Sequence, residues 1–342
     1  MKGQGWSMEN AACEEWLETL PDRSVPLFLV DPPYYNVKGD FDKVWPTRGA
    51  YLRAVARWAS LMERKIADNG SLIWFCGYRM EPYIHVILAK YFSFLNSCTV
   101  VKENGVQRKA EIAKLRMWLS NDERFLFFQS NGRTALDGDG AKTARGKHRY
   151  AEGMALQRCM KPIVDYLNEE RERAGFSVAD VCKAFGMFVP EHWFTRKSQW
   201  QLPSWERYGQ LRALFNAKGG DFLRREYDDL RQEYDDLRRE YDDLRRAFSV
   251  EERQSDVFSI VVDSGIGVRL GHPTVKHLPL IRQLVRATTR PGDLVVDCFA
   301  GSGTTGIAAL AEGRRFAGCE LDAKYYDIAC RRIAETAPGL GI

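Results

Sequence analysis

Apolar residues along this chain form two kinds of pattern. Continuous apolar runs bounded by turn residues predict buried strands, and apolar positions three or four residues apart predict helices. The predicted strands are Val25–Val30, Gly70–Cys76, Phe94–Lys102, Arg124–Gln129, Leu294–Asp297 and Arg315–Cys319, and the helices among them are Ala11–Leu20, Tyr51–Ala67, Pro82–Tyr91 and Gly306–Ala311. Strands that alternate with helices indicate an α/β fold with a mostly parallel sheet.

The first predicted strand is followed by the tetrapeptide Asp31-Pro32-Pro33-Tyr34. Proline fixes φ and has no N–H group, so the carbonyls beside it can face a site instead of pairing in a sheet. A tyrosine ring offers a stacking surface for a base. The tetrapeptide therefore has the groups needed to hold the exocyclic amino group of a flipped nucleobase, although a proline-rich turn after a strand is the simpler interpretation.

A second motif follows the strand Leu294–Asp297 near the other end of the chain. It reads Asp297-Cys-Phe-Ala-Gly301-Ser-Gly303-Thr-Thr, and a predicted helix comes directly after it. Glycines at such a turn let the backbone approach a ligand and leave N–H groups free at the helix N-terminus. Glu320 comes at the end of the next strand, where an acid suits hydrogen bonds to ribose hydroxyls. Because the loop reads G-x-G-T-T rather than G-x-G-x-x-G, a nucleoside cofactor is favoured over a dinucleotide.

The two motifs together resemble those of the DNA methyltransferases that methylate amino groups with S-adenosylmethionine. Their order, with D-P-P-Y before the glycine motif, is similar to that of the β class, a circular rearrangement of one fold. His272-Pro-Thr274-Val-Lys276 resembles the family's H-P-T-x-K segment, which lines the methionine end of the cofactor pocket. The resemblance covers roughly residues 7–130 and 250–335. It implies a class I methyltransferase fold, which is Rossmann-like and circularly permuted.

The resemblance also implies roles for individual residues. Asp31 and the Pro32 carbonyl would accept the two hydrogens of the substrate amino group, and Tyr34 would stack on the extruded base. The implied catalytic residues are Asp31, Pro32, Pro33 and Tyr34, and the implied cofactor-binding residues are Asp31, Asn10, His272, Thr274, Lys276, Asp297, Phe299, Ala300, Gly301, Ser302, Gly303, Thr304, Glu320 and Leu321. Asn10 could equally be the N-cap of the helix Ala11–Leu20.

The activity that the resemblance implies is transfer of a methyl group from S-adenosylmethionine to N6 of an adenine in duplex DNA. Asp as the first residue of the tetrapeptide favours adenine, because cytosine-amino enzymes of the family more often begin it with Ser. Methylation of cytosine N4 is the alternative within this class. A DNA-binding regulator that keeps the fold without catalysis is the alternative from another class, and the intact Asp31, Tyr34, Gly301, Gly303 and Glu320 argue against it.

The middle of the chain is more basic than its ends. Residues 131–225 contain seventeen Lys and Arg against eleven Asp and Glu, whereas the whole chain has a net charge of only +4. A basic insertion in a near-neutral frame is the pattern expected for contact with DNA phosphates. The sequence therefore divides into a catalytic half (1–130), a basic loop with a helical target-recognition region (131–222), a heptad-repeat helix (223–248) and a cofactor-binding half (249–342).

Within the recognition region, Ser177–Gly186 resembles the first helix and turn of a helix-turn-helix unit, and His192–Trp200 would be its recognition element. Arg, Lys, Ser and Gln are the side chains that read base edges in a major groove. The predicted contacts to double-stranded DNA are Arg196, Lys197, Ser198 and Gln199, together with Lys147 and Arg149 from the basic loop. The alternative is a small helical domain with its tryptophans in the core and its cations in solvent.

Three near-identical E-Y-D-D-L-R heptads occupy residues 226–246. Tyr and Leu alternate at a and d spacing, which predicts a helix over Leu223–Phe248 with one apolar stripe. The pairs Asp235–Arg239 and Asp242–Arg246 would support this helix at i,i+4 spacing. The stripe could form a homodimeric coiled coil or pack on the same chain's catalytic domain, and the helix could also be a spacer for the recognition region. Of these, we favour the homodimer.

Cysteine and histidine positions bound the redox and metal chemistry. The eight cysteines are scattered without a C-x-x-C pair, and the five histidines show no metal-ligand spacing. We therefore expect free thiols in a reducing cytoplasm and no bound metal. Met1–Asn10 has no apolar core of a signal peptide, and no apolar run reaches the length of a membrane span. The expected setting is the cytoplasm of a bacterium, with the protein, bacterial or phage-encoded, acting on the nucleoid.

Overall fold

The computed structural model describes residues 1–37, 43–103, 120–131, 159–196, 199–244, 246–250, 254–263 and 265–336. The chain divides into two compact units. The sheet unit comprises Met1–Gly132 and Arg246–Ile342, and the helical unit comprises Arg133–Arg245. Each unit has a hydrophobic core of its own.

The sheet unit contains a nine-stranded sheet. Its strands are β1 Lys2–Gly3, β2 Trp6–Asn10, β3 Val25–Val30, β4 Ile66–Cys76, β5 Phe92–Lys102, β6 Asp122–Ser130, β7 Val257–Ile260, β8 Leu294–Asp297 and β9 Arg315–Glu320. They lie in the order β1-β2-β9-β8-β3-β4-β6-β5-β7. Neighbours are parallel except for β1 with β2 and for β6 with both of its neighbours. The predicted α/β fold with a mostly parallel sheet is confirmed.

Helices of the sheet unit cover both faces of this sheet. The described helices of the chain are α1 Cys13–Thr19, α2 Arg48–Lys65, α3 Glu81–Leu88, α4 Lys161–Arg173, α5 Val178–Phe185, α6 Glu191–Phe194, α7 Trp205–Asn216, α8 Tyr227–Leu244, α9 Ile266–Leu270, α10 Leu278–Thr288, α11 Thr304–Ala311 and α12 Ala323–Thr336. The buried side chains of α1, α2 and α3 belong to one core layer, and those of α10, α11 and α12 belong to another. The six strands and four helices that the apolar patterns predict for the α/β fold are all present, with ends displaced by four residues at most.

The strands β3 and β8 bring the two ends of the chain together. Leu27 pairs with Val295 and Phe28 with Val296, in parallel register. The helix after β3 packs on one face of the sheet and the helix after β8 on the other, so the loops that follow these strands diverge. Such a point, at the carboxyl ends of adjacent strands, is where open α/β sheets bind ligands.

The helical unit is built from α4 to α8 around buried aromatic side chains. Ser177 caps α5, because its hydroxyl accepts the Asp180 N–H while the Asp180 carboxylate accepts the Ser177 N–H. Gly186 ends α5 in the left-handed conformation, with φ of 65°. These two features are as predicted. Trp193 and Trp200 are both buried in the core of the unit.

The predicted recognition element, His192–Trp200, begins within the short helix α6 and continues beyond its end. Helix α6 ends at Phe194, and Thr195 is already extended. The Trp200 indole N–H donates to the Trp193 carbonyl at 2.9 Å, which turns the chain back and buries Trp200. A helix continued through this segment would carry Trp200 away from that carbonyl. Arg196 and Gln199 therefore lie beyond the end of α6 instead of on a helix.

The heptad helix is α8, and it is shorter than predicted at both ends. Leu223 has φ of 54°, which a helix does not allow, and its N–H donates to a Glu170 carboxylate oxygen at 2.6 Å. The apolar stripe packs on the core of the helical unit, with Leu230 fully buried and the Tyr234 ring 6.1 Å from that of Trp200. The stripe is thus occupied by its own chain, and the homodimer stays a prediction that the heptads no longer support.

Of the two ion pairs predicted along this helix, Asp235–Arg239 is wrong, since Arg239 pairs with Asp236, and Asp242–Arg246 stays a prediction. Arg231 pairs with Asp235 and Arg238 with Asp242, so each arginine comes four residues before its acid. In this arrangement each guanidinium also lies over a tyrosine ring of the stripe, which the reverse pairing would not provide. Arg246 lies beyond the helix, and its Nε donates to the Gln129 Oε1 at 3.1 Å.

We expect Leu230→Ala to destabilise the isolated chain. Leu230 is fully buried among the aromatic side chains of the helical unit, and truncation there leaves a cavity. The free energy of unfolding should fall by about 2–5 kcal/mol. Thermal melts at several protein concentrations measure this, and Gln232→Ala on the exposed face of the same helix is the control. A melting temperature that rises with protein concentration would instead indicate that the stripe joins two chains.

Among the described helices, none combines the length and the apolar composition that crossing a membrane requires.

Candidate active site

The two sequence motifs leave the sheet at the same edge. Asp31 comes directly after β3, and Asp297 is the last residue of the neighbouring parallel strand β8. The carboxylates of Asp31 and Asp297 are close enough for their charges to interact. Pro32 is buried, and Pro33 and Tyr34 are half-buried. The carboxylate of the first motif and the glycine loop of the second therefore belong to one region of the sheet unit.

The glycine loop is held in a conformation that other residues would strain. Gly301 has φ of 51° and Gly303 has φ of 77°. A Cβ on Gly301 would lie 3.1 Å from the His272 Nε2, and one on Gly303 would lie 3.0 Å from the Ala329 Cα. Each glycine is therefore required by both backbone angle and packing. Bare backbone at the start of α11 is the surface that a nucleoside cofactor would approach.

Asp297 stabilises this loop by accepting two hydrogen bonds. Its two carboxylate oxygens accept the Phe299 N–H at 3.0 Å and the Thr305 hydroxyl at 2.7 Å. Burial raises the pKa of Asp297 to about 7, although these two hydrogen bonds oppose the shift. Ala300, Ser302 and Thr304 are buried within the loop. The Asp297 carboxylate thus binds the loop itself, which makes it a support for the cofactor site.

Glu320 joins the loop after β8 to the turn after β9. One carboxylate oxygen accepts the Gly301 N–H at 2.8 Å, and the other accepts the Asp322 N–H at 3.0 Å. Burial raises the pKa of Glu320 in spite of these bonds. A carboxylate has about four acceptor positions, so both oxygens keep capacity for ribose hydroxyls. The position matches the ribose-binding acid that the spacing predicts, and Leu321 beside it is largely exposed.

Asn10 lies next to Glu320 because β2 and β9 are paired in parallel, with Asn10 opposite Glu320. Its side-chain amide donates to the carbonyls of Glu320 at 2.8 Å and Leu321 at 3.0 Å. The N-cap position of α1 is Ala12. The N-cap alternative for Asn10 is therefore wrong, and the amide fixes the turn that carries Glu320.

The segment 272–276 touches both motifs. His272 is buried against Gly301, its Nδ1 accepts the Thr274 N–H at 3.3 Å, and its ring meets Tyr325 edge-on at 4.4 Å. Four residues on, the Lys276 ammonium lies 3.0 Å from the Asp31 Oδ1. This segment therefore links the glycine loop to the carboxylate of the tetrapeptide.

Lys276 is the centre of a charged cluster. Its ammonium donates to the Tyr34 hydroxyl at 3.2 Å and to the Glu123 Oε1 at 3.1 Å. Burial would lower the pKa of Lys276, but Asp31 and Glu123 outweigh burial and raise it. Burial raises the pKa of Asp31, and Lys276 opposes that shift. A role for Lys276 in cofactor binding stays a prediction, and in the structure its ammonium contacts Asp31, Tyr34 and Glu123.

Glu123 is a site residue that the sequence did not reveal. It lies at the start of β6, which runs antiparallel to β4, with Arg124 opposite Cys76. The first residues of β6 therefore lie at the edge where the parallel strands end. An acid at the start of an apolar strand was the available signal. This signal does not place Glu123 at the site unless the direction of β6 relative to its neighbours is known.

Aromatic side chains line the sheet unit between the two motifs. Tyr35 stacks on Tyr51 with ring centroids 5.8 Å apart, and Tyr51 meets Trp45 edge-on at 5.0 Å. Trp45 in turn contacts Trp58, which meets Phe299 of the glycine loop edge-on at 4.8 Å. This continuous row fixes Phe299 and the residue after Tyr34 relative to each other.

The predicted DNA contacts are described only in part. Arg196 is exposed and its guanidinium lies 3.1 Å from an Asp165 carboxylate oxygen, and Gln199 is exposed. Lys147, Arg149, Lys197 and Ser198 lie outside the described residues. Within the described ranges, no group of three or more His, Cys, Asp or Glu could hold a metal ion.

Comparisons with known proteins agree with this geometry. A family model described as DNA methylase matches residues 25–331. The type II methyltransferase M1.MboII of Moraxella bovis is 24% identical over 323 residues, which cover 93% of this chain and 92% of that protein.

Two solved structures share the fold. A putative DNA modification methylase from Thermus thermophilus, in complex with S-adenosyl-L-methionine, aligns with a TM-score of 0.50 and 18% identity, over 98% of this chain and 96% of that one. The cytosine-N4-specific PvuII DNA methyltransferase aligns with a TM-score of 0.50 and 14% identity, over 98% of this chain and 92% of that one. At these identities the likeness extends to the fold alone.

Proposed function

This chain belongs to the DNA methylase family, and we propose that it transfers a methyl group from S-adenosylmethionine to N6 of an adenine in duplex DNA. The observation that carries the proposal is the meeting of Asp31 and the Gly301 loop at adjacent strand ends, linked by the segment 272–276. An acceptor for an amino group and a cradle for a nucleoside cofactor thus lie at one edge of the sheet.

The residues present fit S-adenosylmethionine. Gly301 and Gly303 expose backbone that a Cβ would cover, and Glu320 offers acceptors for ribose hydroxyls. When bound, S-adenosylmethionine supplies an electrophilic methyl group on a sulfonium. His272, packed against Gly301, fixes the loop from the side of the segment that carries Lys276.

The protein's part in the reaction is to orient a weak nucleophile. The lone pair of an exocyclic amino group is delocalised into its ring. In our proposal the Asp31 carboxylate and the Pro32 carbonyl each accept one amino hydrogen, which favours a tetrahedral nitrogen with its lone pair free. The effect is orientation and electrostatic stabilisation, without a covalent intermediate on the protein. Stacking on Tyr34 would offset part of the cost of flipping the base, a few kcal/mol.

The identity of the base is the finer part of the proposal. Asp31 at the head of the tetrapeptide supports adenine, by the resemblance given above. Cytosine N4 is the second candidate, and the fold does not distinguish the two bases, since a cytosine-N4 enzyme shares it. Hydrolysis of DNA from cells that express the protein, followed by nucleoside analysis, separates the two. We expect N6-methyladenine, and N4-methylcytosine alone would overturn the adenine assignment.

Residues 133–225 of the helical unit are our candidate for target recognition, because they carry the whole positive excess of the middle region, whereas the heptad residues 226–245 are acidic. Of the predicted DNA contacts, Lys147, Arg149, Lys197 and Ser198 stay predictions. A homodimer and action on a bacterial nucleoid are likewise predictions that rest on the resemblance.

We expect Arg196→Ala and Gln199→Ala to weaken DNA binding or relax target choice. Loss of a good base contact costs about 1–3 kcal/mol in discrimination. Cofactor affinity should be unchanged, because both residues belong to the helical unit. Gel-shift titrations with DNA, run beside calorimetric titration with S-adenosylmethionine, measure both quantities. An equal loss of cofactor affinity would contradict the assignment.

A further inference from the structure

Four charged side chains of alternating sign meet at the active edge of the sheet unit. The Lys276 ammonium lies 3.0 Å from the Asp31 Oδ1 and 3.1 Å from the Glu123 Oε1. The Lys102 ammonium lies 3.5 Å from the same Glu123 oxygen. The series Asp31, Lys276, Glu123 and Lys102 therefore runs from the tetrapeptide to β6 and β5.

This series addresses a problem that the site poses for Asp31. A carboxylate that accepts amino hydrogens must be ionised, but burial raises the pKa of Asp31. The Lys276 ammonium opposes that rise. A lysine is a point charge on a flexible stem, so one partner alone does not fix its position. Glu123 provides a second contact to the ammonium at 3.1 Å, and the Phe75 ring lies 4.7 Å from it.

We propose that Glu123 is a positioning residue, which acts through Lys276 to hold the Asp31 carboxylate in one orientation toward the substrate amino group. The inference rests on the proposed function and adds to it a residue outside the recognised motifs. Lys276 is the link between the two carboxylates, and the ammonium of Lys102 also contacts Glu123. The Tyr34 hydroxyl, which accepts from Lys276 and hydrogen-bonds Asp31, is held by the same series.

Other titratable groups face the same cluster. Cys76 on β4 and Tyr34 have their pKa values raised, chiefly by burial, so both stay neutral in the assay range. Arg124 and Glu81 lie near Cys76 and contribute opposite charges. Asp297, with its pKa of about 7, interacts with Asp31. None of these groups is replaced in the variants below, so they are present whenever the acid limb of a variant is compared with that of the wild type.

The test is the pH profile of kcat for methyl transfer to duplex DNA at saturating S-adenosylmethionine. Its acid limb reports the group that must be ionised in the bound complex. Lys276→Met removes the positive neighbour of Asp31, so the limb should move to higher pH by about one pH unit or more. Glu123→Gln removes a negative neighbour, so the limb should move to lower pH, while kcat falls by about 10-fold to 100-fold through loss of positioning.

Conservative and matched variants separate positioning from stability. Glu123→Asp keeps the charge, so its limb should stay at the wild-type pH while kcat is restored in part. Lys65→Met and Glu312→Gln remove a buried lysine and a largely buried glutamate, each ion-paired elsewhere in the sheet unit. Both should lower the melting temperature and leave the acid limb unmoved.

The inference is overturned if Glu123→Gln keeps the wild-type kcat, or if active Glu123→Gln and Lys276→Met enzymes both keep the wild-type acid limb. If Lys276→Met does not fold, the comparison of Glu123→Gln with Glu123→Asp decides, and a shared limb for these two contradicts the inference. A wild-type enzyme that transfers no methyl group to DNA refutes the proposed function itself. The two failures are therefore distinguishable.

Discussion

Asp31→Ala is expected to lower the rate of methyl transfer to DNA by about 10²-fold to 10³-fold, the loss typical when a preorganised group at the reacting atoms is removed. Asp31 lies at the end of β3, beside the glycine loop, with its carboxylate oriented by Lys276 at 3.0 Å. Without it, the amino nitrogen loses an acceptor and its lone pair returns to the ring. Single-turnover transfer of labelled methyl groups measures the effect, and cofactor affinity should change much less than the rate.

Two further variants make this result specific. Asp31→Asn keeps the shape and one acceptor oxygen but loses the charge, so it should retain more activity and lose the acid limb of the pH profile. Asp68→Ala removes a half-buried aspartate near the start of β4 and should behave as wild type. Equal rates of methyl transfer for Asp31→Ala and Asp68→Ala would show that Asp31 has no part in the reaction.

The second large effect is expected from Gly301→Ala, on cofactor affinity. The new Cβ would lie 3.1 Å from the His272 Nε2, at a φ of 51° that costs an L-residue roughly 1–2 kcal/mol. It would also cover backbone that approaches the cofactor. The dissociation constant for S-adenosylmethionine should rise by about 10-fold to 100-fold, or about 1.4–2.8 kcal/mol. Calorimetric titration measures it directly.

Gly313→Ala is the matched control for this variant. Gly313 has a similar φ of 71°, but a Cβ there would have open space around it. It should share the backbone strain, and thus a similar fall in melting temperature, while binding S-adenosylmethionine as wild type does. A Gly301→Ala protein that binds the cofactor as tightly as Gly313→Ala would show that the loop is not the cofactor site.

Local patterns predicted the elements that carry the motifs. The continuous apolar run Val25–Val30 and the β-branched run before Asp297 become adjacent central strands, because both of their faces are buried. The glycines of the second motif were predicted from the need for close approach, and their angles agree. These patterns predict where each strand ends. They do not predict that β3 pairs with β8, which follows from the family resemblance.

Residues whose position depends on strand pairing could not be predicted. Glu123 reaches the site because β6 is antiparallel, and Asn10 reaches Glu320 because β2 forms a strand that its mixed composition hides. The heptads show the same limit, since a stripe of Tyr and Leu does not reveal which surface it covers. Trp200 shows the same limit in the recognition segment, because its indole donates to the Trp193 carbonyl, a contact that the sequence does not reveal.

The most direct measurement is transfer of a tritiated methyl group from S-adenosylmethionine to unmethylated duplex DNA by the intact chain. If Asp31 and the Gly301 loop form one site, as we propose, label should accumulate in the DNA and be recovered as a methylated exocyclic amino group, and Asp31→Ala should prevent most of it. If the intact chain binds S-adenosylmethionine and DNA and leaves the DNA unlabelled across many target sequences, the two motifs do not form a methyl-transfer site.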